Sequence, residues 1–335
     1  MTTTPPVGIV SVGAALPDQV VTTVELQDRV AAASGFALPE GMLATVTGID
    51  TRRVTADDEY ASTLAVRAAH QALDAAGRTI DDVDLLLYAS ATRDVAEPAT
   101  AHIVQAELGG HAHALDLSNA CNSFLNGIDA ARAFVLAGRA RRVLVVTGET
   151  PTRAMRPRLD SPAQMRRAFA GYTFGDAGAA VLVERVARGG ILDVDTVTRS
   201  EHWTVGGIGS GGSRHPRGDE HTYFSGDGHE LRRVFEEIGG AILDGVRART
   251  GFGWDDYAHV LVHQVTRPYL DRFVELTDVP KDKLVVTVDQ LGNVASATLG
   301  VQLARVDAGL RPGDRVLFVG LGGGVSVMTM VWEKS

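Results

Sequence analysis

The chain has almost no cysteine: Cys121 is the only one in 335 residues. A single cysteine excludes an internal disulfide and any metal site built from several cysteines. Positive charge is also scarce, with 32 lysine and arginine residues against 41 acidic ones and a net charge of −9. This balance argues against a nucleic-acid-binding protein, because such proteins typically carry an excess of basic residues.

Long apolar runs are absent as well. No uninterrupted stretch approaches the roughly 20 apolar residues that span a bilayer. The first residues, Met1-Thr-Thr-Thr-Pro-Pro6, have neither the charged n-region nor the apolar h-region of a signal peptide. We therefore expect a soluble, cytoplasmic protein without a membrane span.

Strand-like and helix-like segments alternate along the whole chain. Near-continuous apolar runs predict strands at residues 7–13, 83–89, 114–117, 142–147, 179–183, 190–197, 259–263, 284–287, 315–319 and 325–332. Helices are expected between most of them, which is the pattern of parallel sheets covered on both faces. Because the second half repeats the order of the first, we predict two similar α/β halves, residues 1–186 and 187–335. The functional site is expected between them.

Cys121 lies where a strand-like run gives way to a helical pattern that starts near Phe124. Unpaired N–H groups and the dipole at a helix N-terminus favour a thiolate, so we expect the pKa of this thiol to be depressed. Most free cysteines are simply buried small hydrophobes. The polar frame of Asn119, Asn122 and Ser123 favours a nucleophile instead.

A thiolate nucleophile needs one group to manage its proton and another to stabilise the oxyanion. His263 follows the apolar residues 260–262, at a strand end, where α/β proteins form their sites. Taken alone, His263 fits a structural role, and Asn293 fits a turn or a helix cap. Gly320-Leu-Gly-Gly-Gly324 is a tight loop that lacks the Lys-Ser/Thr of a phosphate-binding loop. Only the combination with Cys121 indicates catalysis.

Together these residues resemble the Cys-His-Asn triad of the thiolase superfamily, and the ketoacyl synthase III branch is the best general match. The triad motifs are Asn119-Ala-Cys121, His263-Gln-Val-Thr266 and Leu291-Gly-Asn-Val-Ala-Ser-Ala297. Further motifs follow the same order: Thr47-Gly-Ile-Asp-Thr-Arg-Arg53, which we expect to be a turn, Phe174-Gly-Asp-Ala-Gly-Ala-Ala180, and Gly322-Gly-Gly324. The resemblance implies the duplicated thiolase fold, five layers ordered α-β-α-β-α with mixed, mostly parallel sheets.

The resemblance also implies an acyltransferase chemistry. Cys121 is expected to accept an acyl group from a thioester of coenzyme A or of acyl carrier protein, in a homodimer that needs no cofactor beyond these substrates. The backbone N–H groups of Cys121 and Gly323 would hold the oxyanion, and His263 and Asn293 would hydrogen-bond the enolate oxygen of the second substrate.

A narrower resemblance concerns Thr92-Arg-Asp-Val-Ala-Glu-Pro-Ala-Thr-Ala101. It is similar to a segment of the olefin-pathway thiolases (OleA type), which join two fatty acyl-CoA molecules head to head. In that branch a glutamate before the proline crosses the dimer interface and acts as the base beside the partner's cysteine, and Glu97 occupies this place. Head-to-head condensation must remove an α-proton from an unactivated thioester, which requires a positioned carboxylate. Without the resemblance, Glu97 would be interpreted as a solvated loop residue.

Three further residues are candidates for binding the coenzyme A phosphates. Arg52, Arg53 and Arg214 carry guanidinium groups, whose geometry matches phosphate. Ordinary surface charge is the alternative for each of them. The segments Gly320-Leu-Gly-Gly-Gly-Val-Ser326 and Gly211-Gly-Ser-Arg214 resemble general ketoacyl synthase III more than the olefin-pathway branch.

Three functions therefore remain open. The first is non-decarboxylative condensation of two acyl-CoA molecules. The second is decarboxylative condensation with a malonyl thioester, or a related acyl transfer in secondary metabolism. The third is a non-catalytic partner of an active paralogue in a heterodimer, and the intact set of Cys121, His263 and Asn293 weighs against it.

Overall fold

The computed structural model describes residues 5–218 and 220–335. The strands are β1 (Val7–Ala15), β2 (Gln19–Thr22), β3 (Thr51–Val54), β4 (Leu85–Ala89), β5 (His113–Leu117), β6 (Arg142–Glu149), β7 (Ala177–Arg185), β8 (Gly190–Thr198), β9 (Gly206–Gly207), β10 (Ser225–Gly226), β11 (His259–Val262), β12 (Arg315–Gly322) and β13 (Ser326–Glu333). The α-helices are α1 (Thr23–Ser34), α2 (Met42–Thr47), α3 (Ala61–Ala75), α4 (Thr100–Leu108), α5 (Ser123–Leu136), α6 (Met165–Ala168), α7 (Gly228–Thr250), α8 (Arg267–Thr277), α9 (Val288–Leu291) and α10 (Ala297–Val306). Within these described ranges, no helix is both long and apolar enough to cross a membrane.

Two mixed sheets form the framework. The first has the strand order β1-β7-β6-β4-β5, in which β4 runs parallel to β5 and β6, while β7 runs antiparallel to β1 and β6. The second has the order β8-β13-β12-β11, in which β11 and β12 are parallel and β13 is antiparallel to both its neighbours. In each sheet the first strand of that half pairs with its last strand.

The predicted strand at 284–287 is wrong. Leu284 makes one isolated bridge, to Val260, at the edge where a fifth strand would extend the second sheet. The Gln264 side chain takes the backbone groups that a strand neighbour would pair. Its Nε2 donates to the carbonyl of Val285 at 2.7 Å, and its Oε1 accepts the N–H of Thr287 at 2.9 Å.

Helices α5 and α10 lie between the two sheets and share one apolar core with both. Phe124 of α5 and Leu299 of α10 pack there with Val145 of the first sheet and Phe318 of the second. Helix α3 covers the outer face of the first sheet, and α7 covers the outer face of the second. These layers, α-β-α-β-α, confirm the predicted fold class.

A tight turn of the same conformation precedes each of the two helices between the sheets, α5 and α10. Ala120 and Ala295 have φ values of 49° and 46°, a left-handed conformation that is uncommon for residues with a Cβ. In each turn, the hydroxyl three residues later donates to the carbonyl of that alanine, at 2.6 and 2.9 Å. Cys121 follows the first alanine and Ser296 follows the second, so the two halves present corresponding residues at this turn.

Part of the segment 47–53, predicted as a turn, is a strand. Strand β3 pairs antiparallel with β2 as a small separate sheet. Because side chains alternate along a strand, Arg52 faces inward and is fully buried, whereas its neighbour Arg53 is half-buried.

Candidate active site

A cavity of about 390 Å³ lies between the two halves. Cys121, His263, Asn293 and Gly323 all line it. The rest of its wall is mainly apolar and includes Phe174, Trp203, Phe224, Leu231, Phe235, Val265 and Leu321. An apolar pocket with a few converging polar groups is typical of a small-molecule site. The structure therefore brings four residues from the sequence-based hypothesis to one cavity.

Cys121 lies two residues before Ser123, the first residue of α5, and is partly exposed toward the cavity. Burial is the main cause that raises the pKa of its thiol to about 12, and the negative charge of Glu149 acts in the same direction. The N–H groups of Cys121 and Gly323, which hydrogen-bond the sulfur, act in the opposite direction. The prediction of a depressed pKa is therefore wrong, because desolvation beside a carboxylate outweighs the helix terminus. Cys121 is therefore a neutral thiol at pH 7.

The glycine loop after β12 is held tightly against the Cys121 turn. The Nδ2 of Asn122 donates to the carbonyl of Ser326 at 3.0 Å and to its hydroxyl at 2.8 Å. A Cβ at Gly320 would lie 2.1 Å from Oδ1 of Asn122, so only glycine permits this approach. As a result, the N–H of Gly323 converges with the N–H of Cys121 at the sulfur. Two such donors form a site for the oxyanion of a tetrahedral intermediate.

His263 follows the last residue of β11, and its N–H donates to the carbonyl of Val319 at 2.9 Å. The residue is buried, and burial lowers the pKa of its imidazole to about 4. It is therefore neutral at pH 7 and carries one N–H. Its Nδ1 is buried without a hydrogen-bond partner in the described part of the chain, which leaves Nε2 as the nitrogen available to a ligand.

Asn293 is fixed by its backbone on both sides. Its N–H donates to the carbonyl of Thr173 at 2.8 Å, and its carbonyl accepts the N–H of Gly175 at 3.1 Å. Its side-chain Oδ1 accepts the N–H of Ala295 at 3.0 Å. This bond assigns the oxygen of the amide, so the NH₂ group is the one left to donate into the cavity.

The predicted role of Arg52 in binding coenzyme A phosphates is wrong. Its guanidinium donates to the carbonyls of Tyr172 and Phe174 at 2.6 and 2.9 Å, and to Oγ1 of Thr23 at 2.9 Å. Burial lowers its pKa to about 10. Arg52 is a structural residue, since its donors are used inside the protein where no phosphate can enter.

The other two arginines differ in their surroundings. Arg53 donates to the carbonyls of Pro17 and Asp18, each at 3.1 Å, and these bonds lie outside the cavity. Arg214 is exposed and stacks over the ring of Trp203 at 4.8 Å, and Trp203 lines the cavity. Arg214 therefore contacts a residue of the cavity wall, and its contact with a phosphate stays a prediction.

Glu97 lies on the exposed loop between β4 and α4. Ala91 and Thr92, near the start of this loop, line the cavity of their own chain, whereas Glu97 lies beyond them on the surface. The peptide bond between Glu97 and Pro98 is cis. The action of Glu97 in a partner's site stays a prediction.

Sequence reasoning missed Glu149, the last residue of β6, which is fully buried. Its carboxylate accepts the N–H groups of Ala91 and Thr92 at 2.7 and 3.0 Å and the Thr92 hydroxyl at 2.8 Å. The hydroxyl of Ser296 donates to it as well. Burial raises the pKa of this carboxyl group. The signal in the sequence was an acidic residue directly after an apolar strand that is buried on both faces.

Comparisons with known proteins assign the family. A family model described as 3-oxoacyl-[acyl-carrier-protein (ACP)] synthase III matches residues 115–200, and the model of its C-terminal part matches residues 248–334. These two segments contain the turn with Cys121 and the segments with His263 and Asn293.

Curated relatives match over nearly the whole chain. Beta-ketoacyl-[acyl-carrier-protein] synthase III of Rhizobium meliloti is 32% identical over 331 residues, covering 93% of this chain and 94% of that protein. The synthase III of Bacillus pumilus is 30% identical over 333 residues, covering 98% and 99%.

Solved structures agree with these relatives. OleA of Xanthomonas campestris with bound lauric acid and lauroyl-CoA has a TM-score of 0.86 and 25% identity, covering 98% of this chain and 99% of that chain. FabH of Xanthomonas oryzae, a 3-oxoacyl-(acyl carrier protein) synthase III, has a TM-score of 0.86 and 26% identity, covering 98% of both chains. The chain therefore belongs to the 3-oxoacyl-[acyl-carrier-protein] synthase III family of the thiolase superfamily, and it is a condensing enzyme of the acyltransferase type.

Proposed function

We propose that the protein is a homodimer that joins two fatty acyl-CoA molecules by a Claisen condensation without decarboxylation. The observation that carries this proposal is the position of Glu97. It lies exposed on a loop whose first residues, Ala91 and Thr92, form the cavity wall beside Cys121. A carboxylate in this position is free to enter a neighbouring subunit, where it would meet the second substrate.

In the first step of the reaction, acylation, the Cys121 sulfur attacks the carbonyl carbon of one acyl-CoA. A new thioester forms on Cys121, the bond to the coenzyme A sulfur breaks, and the proton lost by Cys121 ends on the leaving thiol. The N–H groups of Cys121 and Gly323 stabilise the oxyanion of the intermediate. Because the thiol pKa is raised to about 12, proton loss and attack occur together rather than through a resting thiolate.

In the second step, condensation, Glu97 of the partner subunit removes the α-proton of the second acyl-CoA. Neutral His263 donates its single N–H, and Asn293 donates its NH₂ group, to the enolate oxygen. The α-carbon then attacks the acyl carbonyl on Cys121, the carbon–sulfur bond breaks, and the Cys121 sulfur recovers the proton held by the carboxyl group. The product is a β-ketoacyl-CoA, and the sequence of steps needs no cofactor.

The second candidate function is decarboxylative condensation with a malonyl thioester. It is favoured by the relatives of 30–32% identity, which are beta-ketoacyl-[acyl-carrier-protein] synthases III. Loss of CO₂ then supplies the carbanion, so the same Cys121, His263 and Asn293 act without a base. Glu97 is therefore the residue on which the two functions differ.

The test incubates the enzyme with acyl-CoAs of several chain lengths, with and without malonyl-CoA, and identifies the products by mass spectrometry. We expect a product of two acyl chains without malonyl-CoA. In Glu97→Gln we expect acylation of Cys121 to persist and condensation to fall by about 10² or more, the usual contribution of a general base. Glu107→Gln, which removes an exposed carboxylate from the adjoining helix α4, is the control and should condense normally. Product that forms only with malonyl-CoA, or full activity in Glu97→Gln, contradicts the proposal.

A further inference from the structure

Glu149 is a buried carboxylate that the reaction described above does not use. It bonds on one side to the cavity wall of the first half, through the N–H groups of Ala91 and Thr92. On its other side it accepts the hydroxyl of Ser296, which belongs to the turn of the second half. One carboxylate therefore connects the two halves directly behind the cavity.

The Ser296 turn is also the turn that orients Asn293. Ala295, the residue before Ser296, donates its N–H to Oδ1 of Asn293. The hydroxyl of Ser296 additionally shares a hydrogen bond of 2.7 Å with the hydroxyl of Thr147 on β6. The amide that is to meet the enolate oxygen is thus held through Ala295 and Ser296 against Glu149.

All four partners of the Glu149 oxygens donate hydrogen bonds to them, which favours the ionised form, and none of these N–H or O–H groups carries a compensating charge. Its titratable neighbours are Cys121 and Tyr88. The Tyr88 hydroxyl donates to the carbonyls of Thr92 and Gly148, each at 2.9 Å, and burial raises its pKa well above the usual value. Tyr88 therefore stays neutral, and the thiol whose pKa Glu149 raises is that of Cys121.

We propose that Glu149 is a positioning residue of the condensing site, which aligns the Ala91–Thr92 wall with the turn behind Asn293. Its negative charge also disfavours an anionic sulfur at Cys121. Once Cys121 carries an acyl group its sulfur is neutral, and the repulsion disappears. Glu149 thus favours the acylated enzyme over the free thiolate. This inference rests on the proposed role of Cys121 as the acyl carrier.

The first measurement needs no substrate, so its outcome is independent of which condensation the enzyme performs. Since Cys121 is the only cysteine, alkylation by iodoacetamide, followed by intact mass from neutral to alkaline pH, reports on this thiol alone. Glu149→Gln should react faster at neutral pH, because loss of the negative charge lowers the pKa of Cys121 and each unit of pKa changes the thiolate fraction about tenfold. Glu149→Asp keeps the charge and should react as slowly as the wild type. Glu184→Gln, which removes the half-buried partner of Arg142 on β7, is the control and should match the wild type.

The second measurement uses steady-state kinetics to test whether Ser296 and Glu149 hold the turn that orients Asn293. Ser296→Ala removes one neutral donor to Glu149 and keeps the carboxyl group of Glu149. This variant therefore tests the alignment even if Glu149→Gln does not fold. We expect its kcat to fall about tenfold with little change in KM, because Asn293 acts on the enolate, and its alkylation profile to stay unchanged. A wild-type alkylation profile in Glu149→Gln overturns the electrostatic effect of Glu149 on Cys121. An unchanged kcat in Ser296→Ala overturns the positioning role.

Discussion

Replacing Arg52 by methionine tests whether this arginine stabilises the fold or binds substrate. Methionine fills a similar volume but removes three hydrogen bonds from a charged donor, to Tyr172, Phe174 and Thr23. Such bonds contribute about 2 kcal/mol each. The variant also avoids burying a positive charge that has no acidic partner. Burial lowers the pKa of Arg52 to about 10, which corresponds to a loss of folding stability of about 3 kcal/mol in the wild type. The expected net destabilisation is therefore about 3 kcal/mol.

Urea unfolding followed by tryptophan fluorescence measures this difference. Arg53→Met is the matched control. Its half-buried guanidinium donates to the carbonyls of Pro17 and Asp18, and the loss of stability in this variant should stay below about 1 kcal/mol. Because the Phe174 segment also pairs with Asn293, Arg52→Met should lower kcat while KM for acyl-CoA changes little. A variant as stable as the wild type but with a tenfold higher KM would refute the structural role.

Two further predictions concern stability. His263 has a pKa of about 4 in the folded protein against 6.5 unfolded, so the unfolded state binds more protons between these values and stability falls as pH falls through them. Between neutral pH and about pH 5 this group alone should cost about 2 kcal/mol, a loss that His263→Asn lacks in urea unfolding; an equal pH dependence in both proteins would contradict it. Gly300→Ala should lower the melting temperature, because its Cβ would lie 2.4 Å from that of Ala179 and 2.8 Å from the Phe124 ring, an overpacking that costs about 1–3 kcal/mol. Gly240→Ala, at an open position on α7, should raise it through helix propensity, and a rise in both variants would show that Gly300 is not tightly packed.

The elements of the site that depend on local pattern could be predicted from the sequence. Cys121, His263 and the glycine loop each follow or join strongly apolar strands, and strand ends in α/β folds are where polar groups meet. Their chain order and the surrounding motifs gave the family, which in turn gave the five layers. No local pattern states how close Cys121 and Asn293 lie, because that depends on how α5 and α10 pack between the sheets.

The errors arose where a residue distant in sequence determines the outcome. The pKa of Cys121 is raised by burial and by Glu149, neither of which the helix N-terminus reveals. Arg52 was predicted to be a free cation because its segment is polar. In the structure it lies on strand β3 with its side chain buried. The segment after Leu284 has the composition of a strand, but the side chain of Gln264 takes its backbone groups.

The repeated turn explains how a duplicated chain keeps a single reactive centre. Strands β6 and β12 have eight residues each and occupy the same place in their sheets, ending at Glu149 and Gly322. Ser296 packs on Glu149, whereas the Cys121 turn packs on Gly322, where a Cβ would lie 3.1 Å from Nδ2 of Asn122. Glycine leaves backbone donors open to the oxygen of a substrate, while glutamate fills the equivalent place with its own oxygens. The second centre thus holds the protein's own carboxyl oxygens at the place where the first is proposed to receive the oxyanion of a substrate, so the proposed reaction uses one of the two related turns.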